Sequence, residues 1–500
     1  MVVSEHDDED RLLREIADKG GVGVVAFGVE RVLSLAFPFV VTAGAGAAVY
    51  GYLSVLRRVR TVLDEILTGL SAGHSRTIPR YGESGQRSVL FASLVLVVVA
   101  GLALGAAVVA LRGQIVARTL FETRHLRTLT VFAAGLVPAV LLVYAASVFR
   151  AYRRVRRSVF VSRVARPGAV LLGATVAIGA GATGATGIWL SVVTALAVVA
   201  AVALAAVVLA TPLGIDAVRT ASVGDFLTYV AGTSLVGLLG AGQRQVVFVL
   251  MAVVLSPVGA GLFSLSLLVA GIVRWPLKGI NRALSAIAAE LYDNDETAAI
   301  ERLYRRTSRV AAFLTVPVVV LTVSHAREIL TVFSATYGTG APVLALAVAG
   351  QFVAVLAGSN GLLLLMTDNE RPAAGLQGLH VLVVLPVMVV LARRHGVVGL
   401  GAAYAFSLLF NNATELWLLR HLEGFRLFTR EHWLVAGVCA LATLCGSAIA
   451  AATPPPLSLP STVALAVGVT ALIHRGLLTG TDRRMVTVMF RRENREERCS

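Results

Sequence analysis

The sequence predicts an all-α polytopic membrane protein of about fourteen transmembrane helices, arranged as two parallel six-helix lobes around a central cleft with an extra C-terminal helix pair. Three observations carry this expectation. Hydrophobic residues make up 57% of the 500 and charged residues only 15%, with a mean hydropathy of +0.80; an ordinary soluble domain is roughly 45–50% apolar and 25% charged. Apolar stretches of membrane-spanning length recur along almost the whole chain. The basic residues between those stretches fall mostly on one side.

The spans are expected near residues 22–44, 47–72, 88–111, 128–149, 168–186, 188–211, 226–246, 255–281, 307–324, 340–365, 373–392, 398–419, 433–452 and 461–479. Residues 1–21 read as a cytoplasmic N-terminal segment, acidic at Glu5, Asp7, Asp8, Glu9 and Asp10 and lacking the apolar core of a secretory signal. The first lobe takes residues 22–215, the second 216–425 and the extra pair 426–480, and 481–500 form a basic cytoplasmic tail.

An even number of spans puts both termini on one side. Most of the 44 Lys+Arg fall there, including the cluster Arg153–Arg157, while the opposite side holds Arg112, Arg118, Arg124, Arg127, Arg244, Arg327, Arg393 and Arg394. The positive-inside rule therefore predicts cytoplasmic termini in a multi-pass plasma-membrane protein. That distribution also turns the +15 net charge into a topology signal and a contact for anionic lipids, and removes nucleic acid as a partner. External loops are short, and the longest, about 112–127, holds a single acid, Glu122. No paired catalytic acids, no Walker lysine loop and no metal or redox spacing among Cys439, Cys445 and Cys499 are present. The chain reads as a non-enzyme without cofactor.

Two passages echo one another. Tyr50-Gly51-Tyr52-Leu53-Ser54 is followed by Pro79-Arg80-Tyr81-Gly82-Glu83-Ser84, and Gly261-Leu262-Phe263-Ser264-Leu265 by Glu290-Leu291-Tyr292-Asp293-Asn294. Each copy passes a basic helix and ends in a polar cytoplasmic turn. Six spans per copy give the halves the same orientation, the parallel-repeat plan with a cargo site between lobes.

Further motifs run in order: Leu227-Thr228-Tyr229-Val230, Pro257-Val258-Gly259-Ala260-Gly261-Leu262-Phe263-Ser264, Ala289-Glu290-Leu291-Tyr292-Asp293, Tyr337-Gly338, Ala341-Pro342-Val343-Leu344, Asp368-Asn369-Glu370-Arg371-Pro372 and Gly396-Val397-Val398-Gly399-Leu400-Gly401-Ala402-Ala403. Over residues 20–420 this order resembles the polysaccharide-biosynthesis (Wzx-like) oligosaccharide flippases of the multidrug/oligosaccharidyl-lipid/polysaccharide exporter (MOP) superfamily. The resemblance implies translocation of a lipid-linked oligosaccharide from the inner to the outer leaflet, with membrane lipids and other glycan-assembly membrane proteins as partners. Gln243-Arg244-Gln245 stands where many relatives carry an acid, which weakens a carried-over cation site there.

Basic residues stand inside three spans: Arg31 in the first, Arg57, Arg58 and Arg60 in the second, Arg274 and Lys278 in the eighth. A charge at the bilayer centre costs about 2.5–3.5 kcal/mol even on a lenient scale. Arg57, Arg60 and Asp64 share one helical face by their i, i+3, i+7 spacing, and Arg58 and Glu65 share another. Arg274, Lys278, Asn281 and Arg282 form a second stripe. Guanidinium forks bind phosphate bidentately, so Arg31, Arg57, Arg60, Arg274 and Lys278 are candidates for an anionic headgroup. Related flippases use arginines on the same three spans. The other reading is internal: Glu30, Asp64 and Glu65 serve as ion or charge-balancing groups, in the pairs Glu30–Arg31 and Arg60–Asp64. Pro276 is a candidate hinge or static kink.

Asp225, Glu415, His380, Gln377, Asn411 and Asn412 are the remaining polar groups in or bordering spans, and pack helices more readily than they bind ions. A cation-coupled multidrug exporter of the same superfamily favours acidic cavities, against the arginines here. A membrane glycosyltransferase or polymerase needs external catalytic acids that this chain does not supply.

Overall fold

The structure is a computed structural model and describes residues 21–211, 220–367 and 369–483. The acidic N-terminal segment and most of the basic tail lie outside these. All the elements are helices: α1 (Gly21–Ala45), α2 (Ala47–Ile66), α3 (Thr68–Thr77), α4 (Glu83–Arg118), α5 (Leu126–Ala134), α6 (Leu136–Ala151), α7 (Val155–Phe160), α8 (Arg166–Gly179), α9 (Ala185–Val208), α10 (Thr220–Val254), α11 (Pro257–Ala270), α12 (Trp275–Asp293), α13 (Thr297–Ser324), α14 (Ala326–Thr331), α15 (Ala341–Ala357), α16 (Asn360–Met366), α17 (Glu370–Leu422), α18 (Arg430–Ala452) and α19 (Pro455–Gly476).

Among the described residues, 11 helical segments are long and apolar enough to cross a membrane. The 53-residue α17 is too long for one crossing, since about 20 residues suffice, and it breaks at Gly396 (φ 56°, ψ −132°). Only glycine adopts that conformation without strain, so α17 is two spans, as the sequence predicts. The Arg57, Arg58, Arg60, Asp64 and Glu65 cluster makes α2 too polar to count among these segments. With α2, α10 and the second rod of α17 the total returns to about fourteen.

Two compact units emerge, Val25–Ser264 and a second from Leu265 onward. In the first, the rod of α5 and α6 is innermost, with Leu136, Tyr144 and Phe149 buried, while α4 shows Val99, Leu102 and Leu111 on its outside, the surface a lipid-facing helix presents. Gly69 and Gly73, one helical turn apart, bring α3 against α10. A Cβ on either would lie 2.4 Å from a side-chain atom of Ser234 or Val230. His74 then bridges inward, with Nδ1 2.9 Å from Ser147 Oγ and Nε2 2.8 Å from Ser93 Oγ. In the second unit α15 packs on α17, and α18 and α19 pack on α13. Those contacts are pinned by Ser308 Oγ to His432 Nε2 at 2.9 Å and His325 Nε2 to Thr462 Oγ1 at 2.6 Å.

Candidate functional site

Arg57 stands ten residues into α2, about 15 Å of rise along a helix crossing a hydrocarbon core of about 30 Å. It lies near mid-depth, with its guanidinium 4.3 Å from the centre of the Phe37 ring on α1. That cation–π contact keeps the charge against an aromatic face. Arg60, one turn on, lies within electrostatic reach of Arg57, Asp64 and Arg166.

The acids do not follow the expected pairs. One Arg166 nitrogen donates to both Asp64 oxygens, at 2.7 and 2.6 Å. Glu30 accepts a hydrogen bond from Arg163. Glu65 accepts from Gln245 Nε2 at 2.7 Å. The pairs Glu30–Arg31 and Arg60–Asp64 are therefore replaced by pairs to the residues leading into α8, and their members keep only longer-range attraction. The reason is reach. Residues 161–165 form a π-helical turn, which re-aims side chains and presents Arg163 to Glu30, and Arg166 follows as the first residue of α8. What remains is a positive excess: among the described residues, Nε of Arg31 and both Nε and Nη1 of Arg60 are buried without a hydrogen-bond partner. Unpaired buried donors are costly, and an anion is the natural complement.

Arg58 is on the other face of α2, 4.0 Å from the Phe248 ring centre. It borders an apolar cavity of about 210 Å³ that Val62, Ile115, Phe132 and Gln245 also line. Its surroundings separate it from Arg57 and Arg60.

In the second unit, Arg274 closes a 3₁₀ turn, Gly271–Arg274, between α11 and α12. Its Nε is buried without a partner, and it acts electrostatically on Glu415. Pro276 stands two residues after that 3₁₀ turn, so the helical run changes geometry beside it. It sits in the first turn of α12, where no intrahelical N–H is needed. Lys278 is exposed on α12. Asn281 accepts from Ser359 Oγ. Asn411 Nδ2 donates to Glu415 Oε1 at 3.0 Å, and Asn360 Nδ2 reaches Asn412 Oδ1 at 3.5 Å. Tyr304 donates to Asn360 and lies 2.8 Å from the Ala357 carbonyl. His380 Nε2 meets Ser407 Oγ at 3.0 Å, a contact between the two rods of α17. Gln377 is half-buried.

The sequence matches no protein-family model and no curated protein. Its fold is similar to that of the lipid II flippase MurJ in an inward closed conformation, with a TM-score of 0.73 at 11% identity over 90% of this chain and 97% of that one. It is also similar to an inward-facing multidrug resistance transporter of the MATE family in the MOP superfamily, at TM-score 0.68 and 15% identity over 80% of this chain and 96% of that one. A third likeness is a MOP superfamily transporter from Pyrococcus furiosus Vc1, described by the reverse polarity of its binding pocket. It has TM-score 0.57 and 14% identity over 83% of this chain and 97% of that one. The chain has a MOP-type fold.

Within that MOP-type fold the sequence missed Arg163 and Arg166, which stand near the basic run Arg153–Arg157 and read as topology charge. The available signal was their spacing, three residues apart where a span begins.

Proposed function

We propose that the protein is a flippase of the Wzx-like kind. It moves an oligosaccharide on a polyprenyl phosphate or diphosphate carrier from the inner to the outer leaflet of the plasma membrane, for surface polysaccharide or glycoprotein assembly, by alternating access and with both termini cytoplasmic. The observation that carries the reading is the uncompensated guanidinium set at membrane depth. Arg31, Arg57 and Arg60 keep their charge excess because Arg163 and Arg166 have taken Glu30 and Asp64. A phosphate headgroup supplies the missing acceptors through charge-assisted hydrogen bonds, and the prenyl tail stays in lipid. In the second unit, described by itself, Arg274 has a buried Nε without a partner among the described residues. Exposed Lys278 contributes long-range attraction. The likeness to a lipid II flippase supports the reading at the level of fold.

The likeness to a multidrug transporter and the presence of Glu415 favour a second reading, a cation-coupled exporter of cationic compounds. The two separate in one experiment. Reconstituted protein is assayed for flipping of a fluorescent polyprenyl-diphosphate oligosaccharide and for efflux of a cationic dye. Arg57→Ala, Arg60→Ala and Arg274→Ala are each expected to lower flipping about tenfold or more, the worth of one charge-assisted hydrogen bond. Unchanged flipping in all three at normal protein levels sinks the reading, and dye efflux that survives them selects the exporter.

A further inference from the structure

The first unit contains a basic cavity separate from the membrane-depth set. Arg76 follows Arg60 by sixteen residues, about 24 Å of helical rise. It lies near the end of α3, in the part of the chain expected at the cytoplasmic face. The close approach of α3 to α10 at Gly69 and Gly73 leaves, one turn further on, a cavity of about 520 Å³. Arg76, Arg80, Tyr81, Asp225, Thr228 and Tyr229 are among its lining residues.

The cavity has the parts of an anion site. The Arg76 guanidinium lies 4.3 Å from the Tyr229 ring centre. That cation–π contact holds the charge against an aromatic wall of the cavity. Arg80 follows four residues later, beyond Pro79 in the 3₁₀ turn Ile78–Arg80. Among the described residues neither Arg76 nor Arg80 has an ion-pair partner. Among the described lining residues the one acid is Asp225, and it is already engaged: Tyr81 Oη donates to its Oδ2 at 2.5 Å. That hydrogen bond, then partial desolvation and the carboxylate charge, hold the Tyr81 phenol above its ordinary range, so it stays a donor. Two guanidiniums against one carboxylate leave the cavity net positive, and Thr228 adds an exposed hydroxyl.

We propose that this cavity binds a phosphate-bearing anion, with Arg76 and Arg80 as its charged donors and the Tyr81–Asp225 pair setting its affinity. Basic pockets between spans on the cytoplasmic side are where anionic headgroups dock, and guanidinium is the side chain best matched to phosphate geometry. The chemistry is shared by two sources: the headgroup of an anionic inner-leaflet phospholipid, and free phosphate. The proposal goes beyond the flippase reading and stands without it.

The test uses the purified full-length protein in detergent. Its unfolding midpoint is titrated with inorganic phosphate in one arm and with short-chain phosphatidylglycerol in the other, against zwitterionic phosphatidylcholine. A saturable rise is expected with at least one probe. The phosphatidylglycerol arm alone assigns the source to lipid, and the phosphate arm assigns it to a soluble anion. Arg76→Gln with Arg80→Gln is expected to weaken the half-saturating concentration about tenfold or more. Arg57→Ala with Arg60→Ala is expected to leave the rise in place, which separates this cavity from the membrane-depth set. Asp225→Asn removes a repulsive charge while keeping an acceptor for Tyr81, and is expected to tighten binding several-fold. Should the double arginine variant not fold, that gain decides alone. No saturable rise in the wild type, an undiminished rise in the folded double variant, or unchanged affinity in Asp225→Asn overturns the proposal.

Discussion

In the first unit Glu30 and Asp64 are held by guanidiniums delivered from the residues leading into α8. In the second unit Glu415 is held by the Asn411 amide, and it lies against Gly361, where a Cβ would stand 3.1 Å from its Oε1. The first arrangement consumes acids with cations from elsewhere in the chain and leaves Arg31, Arg57 and Arg60 with an excess of positive charge. The second satisfies one acid with an amide near the helix break at Gly358 (φ 79°), with Arg274 acting from a distance. An intramembrane arginine therefore cannot be read alone. Whether it is free for cargo depends on which other cation reaches its neighbouring carboxylate.

The strongest way to break that contrast is to free Asp64. Arg166 and Asp64 side chains are only 14% and 25% exposed, so the pair is largely desolvated. Losing one member of a buried pair leaves a costly uncompensated charge. In Arg166→Ala the nearest cation left to Asp64 is Arg60, which is drawn away from cargo. Flipping is expected to fall about tenfold while expression stays near normal, and Asp64→Asn in the same chain is expected to restore most of it. Flipping unchanged in the single variant, or unrescued in the double, shows that Arg60 does not depend on how Asp64 is neutralised.

Much of the frame was legible in the sequence, because a bilayer imposes length and apolarity on every span. The break in α17 follows Arg393-Arg394, and the i, i+3, i+7 face of Arg57, Arg60 and Asp64 follows from helical period alone. The pairings were not legible. Arg163 and Glu30 are separated by 133 residues and Arg166 and Asp64 by 102, and no local rule connects them. Both arginines stand near a run of basic residues whose plain meaning is topology. The 3₁₀ turn Gly271–Arg274 beside Pro276 was not legible either, since a proline alone does not say on which side the helix changes geometry. Tyr81 and Asp225, 144 residues apart, meet only because Gly69 and Gly73 let α3 and α10 touch.

A smaller effect sharpens the second half of the contrast. Tyr304 is fully buried, and its hydroxyl contacts both the Ala357 carbonyl and Asn360 beside the Gly358 break. Tyr304→Phe strands those acceptors and is expected to cost about 1–2 kcal/mol, read as a lowered unfolding midpoint. If this network is structural, flipping per folded molecule stays at the wild-type level. A flipping loss larger than the stability loss makes the network part of the transport cycle.

The smallest effect is expected from Glu415→Gln. The amide keeps an oxygen to accept from Asn411 Nδ2, which lies 3.0 Å from Glu415 Oε1, and no longer places a charge in a desolvated site. Stability is expected to change by no more than about 0.5 kcal/mol. If Arg274 serves the cargo and Glu415 merely sits near it, the substitution also leaves flipping within roughly twofold of wild type. A cation-coupled exporter requires the opposite, since an amide cannot release a proton and binds a cation far more weakly than a carboxylate does. A tenfold transport loss in a variant of unchanged stability would therefore move Glu415 from the structural side of the comparison to the functional one, and would place the driving ion in the second unit rather than the first.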